Sequence, residues 1–161
     1  MTTLIKQKDD SILRQRASPV PPSLPDDRIK KILRQMREAL RAATDGVALA
    51  APQIGIPLRI FIVGHQAVNG QASDPELVFI NPQIVKRSRR QTEMIEGCLS
   101  VQGVYGRIKR REKVTVKALD EAGRRFTRHT AGLLAQIVQH ETDHLDGILF
   151  IDKAYDLTKV K

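Results

Sequence analysis

"TAGLLAQIVQHETDHLDGIL", residues Thr130 to Leu149, is the segment on which the rest of the chain has to be arranged. Leu134, Ile137, Val138 and Leu145 recur at helical spacing and give it one apolar face, and Gly147 marks its expected end. On such a helix His140 and His144 lie one above the other, with Glu141 at the rim of the same face. Two imidazoles four residues apart beside a carboxylate form the H-E-x-x-H pattern of metal-dependent hydrolysis. The imidazoles serve as neutral nitrogen ligands, and the carboxylate takes a proton from water.

The longer form of this pattern supplies a third histidine three residues after its glycine, and Phe150 stands there instead. Downstream of His144 the chain has no His, Cys or Glu, only Asp146, Asp152 and Asp156, so a third ligand is expected from upstream. His65, His129 and Cys98 are the candidates. The favoured one is Cys98 in "EGCLS", Glu96 to Ser100: it follows a strand-like region, adjoins Gly97, which permits close backbone approach, and loses its proton on meeting a metal. Phe150 is then expected in the core.

Working outward, "ASPVPPSLP" (Ala17 to Pro25) is a proline-rich connector, followed by an amphipathic helix over "PDDRIKKILRQMREALRAATDG". Ile29, Ile32, Leu33, Met36 and Leu40 form its apolar face, Asp26 and Asp27 suit its positive end, and Gly46 lies just past its close. Leu58 to Gly64 and Glu76 to Val85 read as strands, joined by a polar loop containing Gly70 and Pro75. "KVTVKALDEAGRRFTRH" reads as a hairpin turning at Asp120 to Gly123, with Val114, Val116 and Ala118 on one face. The pattern is α+β: mixed or antiparallel strands packed around a central metal-binding helix, with a second, N-terminal helix, in one domain spanning 1–161.

With 41% hydrophobic and 28% charged residues, the composition is that of an ordinary globular chain. No apolar run is long enough to cross a bilayer, and "MTTLIKQKDDSILRQ" lacks an apolar secretion segment, so the chain reads as cytoplasmic. One cysteine excludes an internal disulfide. The net charge of +9 gathers in Lys86 to Arg90, Arg107 to Lys113 and Arg124 to Arg128. These read first as solvated strand ends and turns, and second as a weak contact with RNA or the ribosome; Phe126 is the one aromatic residue within the three runs, too few for a base-stacking surface.

"GVALAAPQIG", "EGCLSVQG" and "QHETDHLDG", in this order, closely resemble the three motifs of the peptide deformylases, and the resemblance runs from about Asp10 to about Asp152. It implies a hydrolase that removes the formyl group from the N-terminal formylmethionine of nascent polypeptides. It implies that Cys98, His140 and His144 bind one divalent metal, Fe(II) first, with Zn(II), Ni(II) or Co(II) able to replace it. Glu141 is implied as general base and then acid, and the Gln53 side-chain amide and Leu99 backbone N–H as oxyanion donors. Val47, Ala48, Gly97, Leu133 and Ile137 are implied at the substrate, with Asp143 and Arg110 in support. A thiolate on ferrous iron implies sensitivity to oxygen.

The chain departs from the family pattern at Ala48, in place of a glycine that lets the substrate backbone approach, and at Gln102, in place of a proline. Tyr105 stands where some members carry an arginine that contacts the peptide. The long C-terminal helix with which some members dock on ribosomes has no counterpart after Tyr155, so ribosome contact would fall to the basic segments. Two other readings compete. A protease of the H-E-x-x-H type is disfavoured by Phe150 and by the lack of any Glu after Glu141. A non-catalytic peptide or ribosome binder is disfavoured by the presence of Glu141 and Gln53.

Overall fold

A computed structural model describes residues 3–68 and 76–160. The loop expected around Gly70 and Pro75 lies outside the described residues. The first helix, α1 (Asp26–Ala42), starts after Pro25 and buries Ile32, Leu33, Met36, Ala39 and Leu40, the face its periodicity predicts. It closes at Ala43, three residues before Gly46.

Among the described residues eight strands follow: β1 (Ala48–Ala50), β2 (Ile60–Val63), β3 (Leu77–Arg87), β4 (Gln91–Cys98), β5 (Val101–Arg111), β6 (Lys113–Leu119), β7 (Arg125–Ala131) and β8 (Tyr155–Lys159). One sheet runs β1-β2-β3-β6-β7 and the other β4-β5-β8, with every ladder antiparallel. The fold is α+β, and of the two arrangements expected the antiparallel one is realised within the sheets.

The β6–β7 hairpin turns where expected. Asp120 accepts from the N–H groups of Ala122 and Arg124, and Val114, Val116 and Ala118 face inward. The second helix, α2 (Gly132–Leu145), begins two residues later than its sequence pattern predicts. Thr130 and Ala131 belong instead to β7, paired with Val114 and Lys113, and the Thr130 hydroxyl donates to the Val114 carbonyl. The helix ends at Leu145, and Gly147 follows at φ +77°, where a Cβ would stand 2.6 Å from the Arg14 carbonyl oxygen. Only glycine fits there without strain.

The two faces of the five-stranded sheet carry two cores. Phe61, Val63, Phe79, Val114 and Val116 pack with Ala135, Ile137, Val138 and Leu145 of α2. Ile60, Ile62, Val78 and Ile80, on the opposite face, pack with Ile32, Leu33 and Met36 of α1. Each of the large apolar side chains fully buried there contributes roughly 1.5–3 kcal/mol. α2 also contacts β5, which brings its exposed edge against the three-stranded sheet. Phe150 is buried there with Leu13, Val101, Ile108 and Leu149, and its ring lies 6.2 Å from that of His140. The position of the missing third histidine is thus part of the core that backs the site.

Candidate metal centre

Cys98 closes β4, and the tight turn of Leu99 and Ser100 sends the chain back into β5. That turn carries the thiol to α2, where the Cys98 Sγ lies 3.3 Å from the His144 Nε2. Ligand atoms of Cys98, His140 and His144 all lie within 4.8 Å of one another. His65 sits in a turn after β2, and His129 bonds Thr115 on the sheet, so neither of the alternative ligands joins the group.

Each imidazole is set by its surroundings. His140 Nδ1 lies 2.7 Å from Glu96 Oε1. Burial raises the Glu96 carboxyl, but bonds from Arg110 and His140 outweigh it and hold the group down at about 2. An ionised carboxylate only accepts, so His140 Nδ1 carries the hydrogen and Nε2 is the ring atom left to face a cation. Arg110 grips Glu96 through two bonds of 2.7 and 2.8 Å and Asp143 through one of 2.8 Å. Burial holds His144 well below the ordinary histidine range, in the neutral form a ligand needs. Burial also lowers His140, but bonds to Cys98 and Glu96 and the charge of Glu141 more than reverse it. A thiol and two imidazoles gathered this closely in the interior suit a divalent cation, which takes the place of protons on sulfur and nitrogen. The set is three donors, the number that leaves a fourth position for a reactant.

Glu141 is buried on the same helix, and its Oε2 has no hydrogen-bond partner among the described residues. Burial is the main cause that pushes its carboxyl up to about 7, against the pull of His140. Gln53 sits in a short 3-10 turn after β1. Its Oε1 accepts from the Ala50 N–H at 2.9 Å, so its amide nitrogen must point at Ser100 Oγ (3.0 Å) and Cys98 Sγ (3.7 Å).

Val47, Ala48, Gly97, Leu133 and Ile137 line one cleft of about 790 Å³ with Cys98, Leu99, Gln53, His140 and Glu141. Val47 and Leu133 are exposed at its mouth and Ile137 is buried deeper. Ala48 does not have a positive φ, and it packs in the core cluster that contains Ile137. Gly97 makes room for a side chain: a Cβ there would stand 2.7 Å from the Tyr105 ring.

The basic run Arg107 to Lys113, expected as solvated, needs correction at Arg110, which is only 4% exposed. β5 alternates, with Ile108 and Arg110 inward and Arg107 and Lys109 outward, and Arg110 is neutralised by Glu96 and Asp143. The period-two parity from Ile108 was the available signal. Glu96 and Ser100 were given no separate role in the sequence reading, and nothing local distinguishes them.

A Cys-His-His donor set beside a buried carboxyl whose pKa is raised toward neutrality, on an antiparallel α+β frame, defines a metal-dependent hydrolase. The polypeptide deformylase family model matches residues 2–160. Peptide deformylase 2 of Clostridium acetobutylicum is 41% identical, over 96% of this chain and 97% of its own. The Thermomicrobium roseum peptide deformylase is 43% identical, over 99% and 89%. The crystal structure of the Synechococcus elongatus enzyme in complex with actinonin superposes at TM-score 0.85 with 38% identity, over 97% and 81%. The chain belongs to the polypeptide deformylase family, hydrolases that remove the N-terminal formyl group from polypeptides.

Proposed function

We propose that the chain deformylates N-formylmethionyl nascent peptides, with Cys98, His140 and His144 holding Fe(II) and with Zn(II), Ni(II) or Co(II) as replacements. The observation that carries this reading is the convergence of those three donors on one point, with Cys98, His140, the buried Glu141 and Gln53 lining one cleft. A divalent ion bound there supplies Lewis acidity, making water more acidic and the formyl carbonyl more electrophilic.

The chain's own residues do the rest. Glu141, as carboxylate, accepts a proton from the water that adds to the formyl carbon. It then returns that proton to the departing amine as the C–N bond breaks and formate leaves. The Gln53 amide nitrogen and the Leu99 backbone N–H donate to the oxygen on which charge develops. Gln53 is oriented for this before substrate arrives, because the Ala50 N–H holds its other end. Val47, Leu133 and Ile137 receive the methionine side chain, with Ala48 and Gly97 forming the backbone walls beside it. Glu96 and Arg110 orient His140, a supporting contact of the kind that tunes ligands.

No helix among the described residues is long and apolar enough to cross a membrane. The substrate class makes the cytoplasm the compartment of this reading, and a weak contact with RNA or the ribosome through basic segments is part of it. The test is formate release from a formyl-Met peptide by anaerobically prepared Fe(II) protein. Activity is expected in the wild type and absent in Glu141→Ala; equal release by the two under every metal overturns the reading. Metal content should fall in Cys98→Ser, and unchanged content would remove Cys98 from the ligand set.

A further inference from the structure

α1 covers only part of the outer face of the five-stranded sheet. Ile60, Ile62, Val78, Ile80 and Leu119 pack in the cluster formed with it. Farther along the same face, register puts Lys113, Thr115 and Lys117 of β6 beside His129 and Thr127 of β7 and Lys86 and Gln83 of β3. The Thr115 hydroxyl and His129 ring are 3.0 Å apart, which places their strands' side chains on one face. On this face the three strands carry Lys86, Lys113, Lys117 and Arg125, whereas Arg87 and Arg128 pair with the inward Val114 and Val116 and belong to the other side; the strands contain no Asp or Glu. None of these four cations makes an ion pair among the described residues, and all four are exposed. The acids that do flank these strands are already engaged: Glu112 with Arg90, Asp120 with Arg124, and Glu76 and Glu121 with Arg37.

We infer that this open half of the sheet, on the face opposite α2 and the cleft, is a docking surface for the phosphate backbone of a structured RNA. Cations spaced along neighbouring strands match a row of phosphates, and the hydroxyls and amide between them can donate to phosphate or ribose oxygens. The face has no Phe, Tyr or Trp on which to stack unpaired bases, and its His129 ring is tied to Thr115, which favours helical RNA over single strands. It has no aromatic or long aliphatic wedge to enter a lipid surface, which disfavours a membrane. Because α2 lies on the other side of the sheet, RNA held here leaves the cleft free. The inference concerns a face that catalysis does not use, so it stands or falls separately from the deformylase reading.

The test measures binding of the metal-loaded protein to an RNA hairpin of about 20 base pairs, between roughly 50 and 200 mM salt. Wild type should bind, and more weakly as salt rises. Lys86→Gln/Lys113→Gln/Lys117→Gln should lose about tenfold or more in affinity and about three units of log–log salt slope. Its melting temperature and formyl-peptide kcat/KM should stay unchanged. Lys30→Gln/Lys31→Gln/Arg34→Gln removes the same charge from the exposed side of α1 and should keep most of the binding. Equal loss in the two triple variants overturns the assignment of the face, as does binding to anionic vesicles but not to RNA. In a second readout, bound RNA should shield Lys113 and Lys117 from amine acylation; labelling unaltered by RNA counts against the inference.

Discussion

At the scale of single residues, the site depends on side chains whose second contact decides what the first can do. Gln53 is a donor toward the cleft because its carbonyl end is occupied by the Ala50 N–H. Gln53→Ala should lower kcat by about 10²–10³ with little change in KM, the cost of removing one preorganised oxyanion donor. Steady-state kinetics on a formyl-Met peptide checks this, and a loss confined to KM would contradict the role. Gly97 and Tyr105 are coupled by space: a methyl at 97 falls on the Tyr105 ring, which is partly exposed and free to move. Gly97→Ala should therefore reshape the cleft wall more than it destabilises the fold. KM should rise about threefold or more, since ~0.7 kcal/mol of lost contact is a factor of about three. Adding Tyr105→Ala should remove that sensitivity to the methyl; a double variant that pays the full glycine penalty again would refute the coupling.

At the scale of elements, β4 and β5 act as the support of α2. Their register brings Glu96 and Arg110 together beneath His140, with Asp143 completing the pair. Arg110→Met leaves a buried carboxylate without its main partner and should cost about 3–5 kcal/mol. Metal affinity should fall about 10–100-fold as His140 loses its orientation. Urea denaturation and metal titration read the two effects. Glu96 is held at about 2, below its ordinary 4.5. Its contribution to the stability of the metal-free protein is therefore fully present above about 4.5 and is lost as pH falls from there toward about 2. Melting of wild type and Glu96→Gln should converge over that window, and parallel curves would exclude Glu96 as the source.

β3 shows a different device. Asn81 takes a φ of +51°, breaks the register with β6, and bonds both the N–H and the carbonyl of Val20. Asn81→Ala loses two bonds and a tolerated left-handed residue, an expected cost of about 2–4 kcal/mol. Asn81→Gly keeps the conformation and should cost less in the same urea experiment.

At the scale of the whole molecule, the donors Cys98, His140 and His144 join the three-stranded sheet to the helix that also closes the five-stranded sheet. A cation there links both halves of the fold, so chelation should lower the melting temperature by roughly 10 °C if binding contributes ~4 kcal/mol. Calorimetry of chelated and reloaded protein measures it, and Cys98→Ser should melt at the same temperature in both.

The sequence by itself determined the two helices, because burying one face imposes a 3.6-residue period that any stretch of chain displays locally. It likewise determined the β6–β7 hairpin, through Asp120 and Gly123, and the pairing of His140 with His144 on one face of α2. Tertiary structure alone decided what depends on residues far apart in the chain. It brought the Cys98 sulfur against His144 and turned Arg110 from a member of a basic run into the buried partner of Glu96. It moved Thr130 and Ala131 from the helix to a strand, since a ladder with Val114 and Lys113 was available to their backbone. It also separated the cations of β3, β6 and β7, which no acid faces, from those neutralised elsewhere. Periodicity is local, whereas ion pairing and coordination follow strand register and sheet packing, which no short window of sequence contains.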